Sequence, residues 1–249
     1  RSAIAFLSPA SGHDAAVHAM LIKRAVAAVD RSKTGIVQAL LESQHQLQAE
    51  AFTEAGFQRL AHLVYMQRTI HAQHVMPLLL EPGLSLTPWA NARRRLFRAA
   101  ITASYEETLD CPGLLGLREV DEVIDGHMAT GEFTPSLWLA LHRGEEPVGV
   151  MLLNLVMQKQ NLELVYLGLA KPWRGKGLGR KLMHRALELA QQHQVKHLVL
   201  AVDELNTAAL KLYRSMGFSA TVRKLAMVRS LREGTEGEGT KGRRNEGTK

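Results

Sequence analysis

One cysteine, Cys111, stands in a chain of 249 residues. A single thiol excludes an intrachain disulfide and a cysteine-based metal cluster, and it reads as a small packed side chain rather than a nucleophile. Aromatic residues are scarce, at 5%. Few of them interleave the basic residues, which argues against a nucleic-acid surface built on base stacking. No apolar run is long enough to span a membrane. The opening "RSAIAFLSPASGHD" lacks the apolar stretch of a secretory signal. The chain is therefore expected to be cytoplasmic, with the reservation that it begins at Arg1 and an upstream segment could have been removed. Metal-ligand spacing is missing too, because "HAQHV" (His71–Val75) has two histidines but no third partner. No G-x-x-x-x-G-K-[ST] run occurs, which excludes a Walker loop.

What is present is charge, unevenly spread. The net charge is +7 and the sequence pI about 9.7, a balance suited to an anionic ligand. Lys171, Arg174, Lys176, Arg180, Lys181 and Arg185 follow one another with no acid between them. Glu106, Glu107, Asp110, Glu119, Asp121, Glu122 and Asp125 form an acidic run broken only by Arg118. Two patches of opposite sign suggest two different partners.

The pattern of elements is mixed. "RRRLFRAAITASYEETL" and "GLREVDEVIDGHM" have helical spacing. "SLWLALHRGEEPVGVMLLNLVM" reads as a hairpin around "RGEEP", and "LELVYLGLA" as a strand. An amphipathic helix follows, then the strand "HLVLAVD" and the helix "NTAALKLYRSM", with Asn206 as N-cap and Gly217 as stop. "FSATVRKLAMVRSL" supplies one or two last strands. This is an α/β (α+β) order over a largely antiparallel sheet flanked by helices. "EPGLSLTPWANARR" breaks periodicity and sets a boundary near residue 80. The predicted division is 1–80, 81–232 and a disordered tail over 233–249, which has no apolar residue to bury.

Residues 1–68 align without a gap on residues 162–229. Strand, loop, helix, strand, helix, Gly-Phe and strand occur in the same order, which predicts a tandem repeat. The copies differ where chemistry is expected. "RGKGLG" (Arg174–Gly179) faces "HDAAVH" (His13–His18), which has no glycine and carries a carboxylate. Tyr213 faces Phe52, and Asn206 faces His45. The first segment thus reads as half a domain that keeps a core and drops the chemistry.

A glycine-rich turn that enters a helix offers unpaired amides at the positive end of the helix dipole, an anion site. In "AKPWRGKGLGRKLM" the spacing is R-x-x-G-x-G, on Arg174, Gly177 and Gly179. Here the sequence resembles the GNAT superfamily of acyl-CoA-dependent N-acetyltransferases. "AVDELNTAALKLYRSMGF" (Ala201–Phe218) is similar to that family's second motif. The pairing of a degraded and an intact copy is similar in arrangement to two-domain members such as mycothiol synthase. The resemblance implies acetyl-CoA as cosubstrate, with no metal. It implies that Arg174, Gly175, Lys176, Gly177, Leu178, Gly179 and Arg180 surround the pyrophosphate. It implies that the backbone of Leu167, Gly168 and Leu169 holds the pantetheine and the acetyl carbonyl, and that Asn206 contributes to CoA binding besides capping its helix.

Acetyl transfer to an amine needs a neutral amine, a proton acceptor, a donor for the carbonyl oxygen and an acid for the leaving thiolate. Neutralising a lysine-like amine near pH 7 costs roughly 4–5 kcal/mol. The resemblance makes Tyr213 the candidate acid and Glu163 the candidate base. Period-two alternation puts Glu163, Val165, Leu167 and Leu169 on one face of a strand. Glu119, Asp121 and Glu122 are rival bases, and His142 and His197 candidate proton shuttles. The acidic run favours a cationic amine acceptor, small molecule or protein, and a second copy of the chain is a further candidate partner. The alternative to an enzyme is a non-catalytic acyl-CoA-binding or regulatory module.

Overall fold

The computed structural model describes residues 2–7, 15–71 and 79–232. The first segment runs β1 (Ser2–Ala5), α1 (Ala15–Ala27), β2 (Ile36–Glu42), α2 (Gln46–Glu54) and β3 (Gln58–Thr69). The second runs β4 (Leu84–Pro88), α3 (Arg94–Ser104), α4 (Val120–Met128), β5 (Trp138–Arg143), β6 (Glu146–Val156) and β7 (Asn161–Leu169). It continues through α5 (Leu178–Gln192), β8 (His197–Asp203), α6 (Thr207–Ser215) and β9 (Ser219–Ser230). The nine strands form one sheet in the order β1-β2-β9-β3-β8-β7-β6-β5-β4. Only β1–β2 and β7–β8 pair in parallel.

Local chemistry explains several of these elements. The β5–β6 turn places Gly144 at φ 54°, the left-handed conformation that matches strand twist in a tight hairpin. Glu119 and Glu122 form a reciprocal capping box that starts α4. Asn206 caps α6 through its side-chain oxygen, which accepts the Ala209 amide at 3.2 Å. The stretch expected as one or two closing strands is the single β9.

Alternation along the strands builds two layers of core. Leu139, Met151 and Leu153 face α5 and α6, whereas Trp138, Ala140, Val150 and Leu152 face α3 and α4. Asn154 is fully buried on β6, where its oxygen accepts Trp138 Nε1–H at 2.8 Å. Its amide nitrogen donates to the carbonyls of His127 and Thr130, so α4 is pinned to the sheet. A third core joins α1 and α2 to β2 and β9.

The two segments are interleaved. Adding 161 to the bounds of β2, α2 and β3 gives those of β8, α6 and β9. Ile36 faces Ser230, and the shifted pair, His197 and Thr69, also face each other. β3 lies between β8 and β9, and β9 between β2 and β3. A boundary at residue 80 therefore divides the chain but not the sheet. Residues 8–14, 72–78 and 233–249 lie outside the described residues, and with them the first-copy loop around His13, most of "HAQHV" and the tail.

Candidate active site

Parallel pairing of β7 with β8 covers only Asn161–Leu164 against His197–Leu200. β7 continues to Leu169 but pairs there with β6 alone. The two strands form a V, and from Val165 to Leu169 the inner edge of β7 has no strand beside it among the described residues. A bulge coincides with the opening: Leu152 and Leu153 of β6 face Tyr166 and Leu164, so Val165 is an extra residue. The bulge also corrects the expectation that Glu163, Val165, Leu167 and Leu169 share a face. Leu162 and Leu164 join the core beneath α5 and α6, and Leu167 and Leu169 pack against that same core. Val165 and Tyr166 pack towards α3 and α4. One inserted residue shifts the alternation, a change that regular period two cannot anticipate.

The glycine loop enters α5 at the mouth of the V. Gly175 and Gly177 have φ of 74° and 79°, and a Cβ at either position would meet nothing within 4 Å. Glycine is needed there for conformation, not for space. Gly179 is different, since its Cβ would lie 3.3 Å from Leu212 of α6. The first helical bond is Lys181 N–H to the Gly177 carbonyl, at 3.2 Å. The amides of Gly175 to Arg180 have no backbone acceptor among the described residues. They form the anion site that the spacing implies. Around it Lys176 lies over the Trp173 ring at 4.9 Å, and Arg180 donates to Ser215 Oγ at 2.8 Å.

Arg174 departs from the role implied for it. Its Nε donates to the Leu169 carbonyl, Nη1 to that of Glu107 and Nη2 to that of Ser104, at 3.0, 3.1 and 3.0 Å. Its amide donates to the Lys171 carbonyl. The side chain is a clamp between the end of β7, the end of α3 and the loop that follows. The capture of the Ser104 and Glu107 carbonyls also explains why α3 stops at Ser104, short of the helical pattern in the sequence.

A cleft of about 160 Å³ lies in the mouth of the V. Leu167, Gly168, Leu169, Tyr166, Asn206 and Asp110 contribute to its walls. Gly168 lets α3 approach: a Cβ there would lie 2.5 Å from Ser104 Oγ and 2.8 Å from Tyr166 Cε1. Tyr166 OH and Ser104 Oγ are hydrogen-bonded at 2.7 Å. Tyr213 is buried on α6 in the core beneath α5 and α6 and is not itself in the cleft wall; burial, with the Asp110 carboxylate adding to it, pushes its pKa well up. Its hydroxyl therefore stays protonated at neutral pH. Glu163 stands at the closed end of the V, where its strand is still paired, and is not part of the cleft wall. Burial raises its pKa, and it has no hydrogen-bond or ion-pair partner among the described residues.

Asp110 is a member of this group that no spacing in the sequence singled out from the acidic run. It reaches the cleft because Cys111 N–H donates to Asp203 Oδ2 at 3.2 Å, across 92 residues. Asp203 is buried at the end of β8, and its other oxygen accepts the Leu205 amide at 2.9 Å. Glu107 and Cys111 have φ of 47° and 46°, so the loop is held in a conformation that side chains disfavour. Asp110 is exposed on the cleft wall, yet desolvation by the surrounding walls raises its pKa; the Asp203 backbone opposes the rise through a hydrogen bond, and the Asp203 carboxylate adds to it.

The rest of the acidic run is occupied elsewhere. Lys171 pairs with Glu106 and Glu107. Arg94 pairs with Asp121 and Asp125, and Arg98 with Asp121. Glu122 pairs with Arg232, and Glu119 caps α4. Asp110 has no cation partner among the described residues. His142 bonds Thr87 Oγ1 and the Gly144 carbonyl on the β4–β5 side, and His197 lies beside Thr69. Neither histidine is in the cleft wall.

Comparison with known proteins agrees with this geometry. The model of the acetyltransferase (GNAT) family matches residues 101–218. N-acetyltransferase family 8 member 3 of Mus musculus is 35% identical over 88 residues, which cover 34% of this chain and 38% of that protein. The chain thus spans well under half the length of the first curated relatives that it matches. A GCN5-related N-acetyltransferase from Sphaerobacter thermophilus has the same fold, with a TM-score of 0.58 at 18% identity over 80% of this chain and 61% of the other. A tandem GNAT protein from the clavulanic acid biosynthesis pathway gives a TM-score of 0.54 at 14% identity over 90% and 73%. The matched residues hold α4, the splayed strands, the glycine loop and α6, so the chain carries an acetyltransferase domain of the GNAT family.

Proposed function

We propose that the protein is an N-acetyltransferase that moves an acetyl group from acetyl-CoA directly to a primary amine. The observation that carries this reading is the open inner edge of β7 ending beside the free amides of the glycine loop. An extended pantetheine fits against an unpaired strand edge, and its pyrophosphate fits the loop amides at the helix start. Lys176 and Arg180 add charge at that point. Asn206 lines the same cleft, available to the cosubstrate on its remaining polar atoms.

Tyr213 is the acid in this reading. Its buried, protonated hydroxyl suits proton donation to a leaving thiolate. The backbone at Leu169 borders the site of the thioester carbonyl. The base is a carboxylate, either Glu163 at the closed end of the V or Asp110 at its mouth. The acceptor is a cationic amine. The acidic run supports that charge only through Asp110, because its other members are paired or serve as a cap.

Residues 1–80 form, in the same proposal, a degenerate half-copy of the domain over 81–232. The coincident bounds and registers at an offset of 161 support it. The half-copy supplies strands to the shared sheet and no second cosubstrate site.

Titration calorimetry with acetyl-CoA tests these readings together. One site per chain, lost in Gly177→Asp, is the expected result. Two sites would overturn the half-copy reading. Binding by the wild-type protein with no acetyl transfer to any amine would favour the non-catalytic module.

A further inference from the structure

We propose that Asp110 is the carboxylate that receives the ammonium group of the acceptor and takes its proton, a role that rests on the acetyl-transfer reading above. Position comes first. Asp110 lies in the wall of the cleft that also contains the open edge of β7 at Leu167, Gly168 and Leu169. It is close enough to Tyr166 and Tyr213 for its charge to act on both hydroxyls. Glu163 stands at the other end of the V, where β7 and β8 have already closed.

Charge comes second. Arg94, Arg98, Lys171 and Arg232 are engaged by the other members of the acidic run, Arg174 by backbone carbonyls, and no cation pairs with Asp110 among the described residues. Asp110 is exposed on the cleft wall beside the buried Asp203 carboxylate, so its charge is open to an incoming ammonium. A bound ammonium supplies the missing counter-charge. The loop is built to hold it there: Arg174 fixes the Ser104 and Glu107 carbonyls, Lys171 holds Glu107, and Asp203 holds the Cys111 amide. Two left-handed residues, Glu107 and Cys111, are retained in the process.

The proton balance closes. The ammonium gives one proton to the Asp110 carboxylate, which later passes it to water. The nitrogen lone pair forms the C–N bond at the thioester carbon as the C–S bond breaks. The sulfur takes the Tyr213 proton, and the second proton lost by the nitrogen restores the Tyr213 hydroxyl through water. The raised pKa of Asp110 brings it nearer to that of an amine and makes it a stronger base than an exposed aspartate. The groups that face Asp110 and shape its titration are Asp203 of β8, Tyr166 of β7, Tyr213 of α6 and its neighbour Cys111.

The test uses the full chain and a panel of ethylamine, spermidine and a lysine peptide, with CoA thiol release as the readout across pH. Asp110→Asn is expected to bind acetyl-CoA within about twofold of wild type. Its kcat/KM should fall about 100-fold or more, in the range of general-base loss, and the acid limb of its pH profile should disappear. Asp110→Glu keeps the carboxylate, and should restore part of the rate and the limb. A wild-type rate within threefold in Asp110→Asn, with the acid limb intact, overturns the assignment and leaves acetyl transfer standing. So does a loss confined to Glu163→Gln. If wild type binds acetyl-CoA but releases no thiol with any amine, the transfer reading falls and the role of Asp110 falls with it.

Discussion

Replacing Arg174 by lysine separates two roles for one side chain. A phosphate ligand needs a positive charge near the glycine loop, and lysine keeps that charge. A clamp needs three donors in a plane, and lysine cannot supply them. In the structure the guanidinium donates to the carbonyls of Leu169, Ser104 and Glu107, the first two in part-buried positions and the third exposed. Hydrogen bonds from a charged donor contribute about 1.5–3 kcal/mol when shielded and less in water. Allowing one bond retained by lysine, the loss is about 2–4 kcal/mol. For a chain of this size each kcal/mol shifts Tm by about 2–4 °C, so Arg174→Lys should melt roughly 4–16 °C below wild type. Release of the Ser104 and Glu107 carbonyls should also let the loop over 105–111 relax from its left-handed residues. Hydrogen exchange of those amides should then rise, while the affinity for acetyl-CoA changes only a few-fold. Differential scanning fluorimetry, hydrogen exchange and calorimetry on the same variant give all three numbers. A Tm within 2 °C of wild type, together with acetyl-CoA affinity lost and strongly salt-dependent, would refute the clamp and return Arg174 to the anion.

Three other outcomes are expected. Gly168→Ala puts a Cβ within 2.7 Å of Ser104 Cβ, so chemical denaturation should show a loss of about 1–3 kcal/mol from overpacking. His127 is held neutral, its pKa lowered to about 4 by burial and then by Arg118. The unfolded chain protonates this residue first as pH falls, so stability is lost from pH 6.5 down to about 4, up to about 3 kcal/mol at 1.36 kcal/mol per unit; a His127→Phe variant that keeps the same acid slope in urea titrations would contradict this. Glu163 has a pKa raised by burial, so its ionised form opposes folding once pH rises above its ordinary value near 4.5. Glu163→Gln should therefore melt higher than wild type at pH 7.5, with the gap closing towards pH 4; a gap that is constant with pH would mean that the carboxylate is not the source.

The sequence by itself determined what depends on neighbours along the chain. Gly175 and Gly177 mark left-handed positions, and Asn206 marks a cap, because backbone conformation and capping are settled within a few residues. Apolar alternation in "SLWLALHRGEEPVGVMLLNLVM" gave the hairpin, since each strand carries its own period. The order of elements repeated at an offset of 161 was also legible, although their interleaving in one sheet was not. Tertiary structure decided the rest, through contacts between residues far apart. The bulge at Val165 depends on how β6 and β7 settle their register, and it moves Leu167 and Leu169 to the other face. The clamp role of Arg174 depends on carbonyls some 70 residues earlier. Asp110 is one of seven acids in a row of similar residues, and its place in the cleft comes from an amide at Cys111 meeting a carboxylate at the end of β8. Charge in a sequence shows how many acids are present; which of them is left without a counter-ion is fixed only when the chain has folded and the others have found theirs.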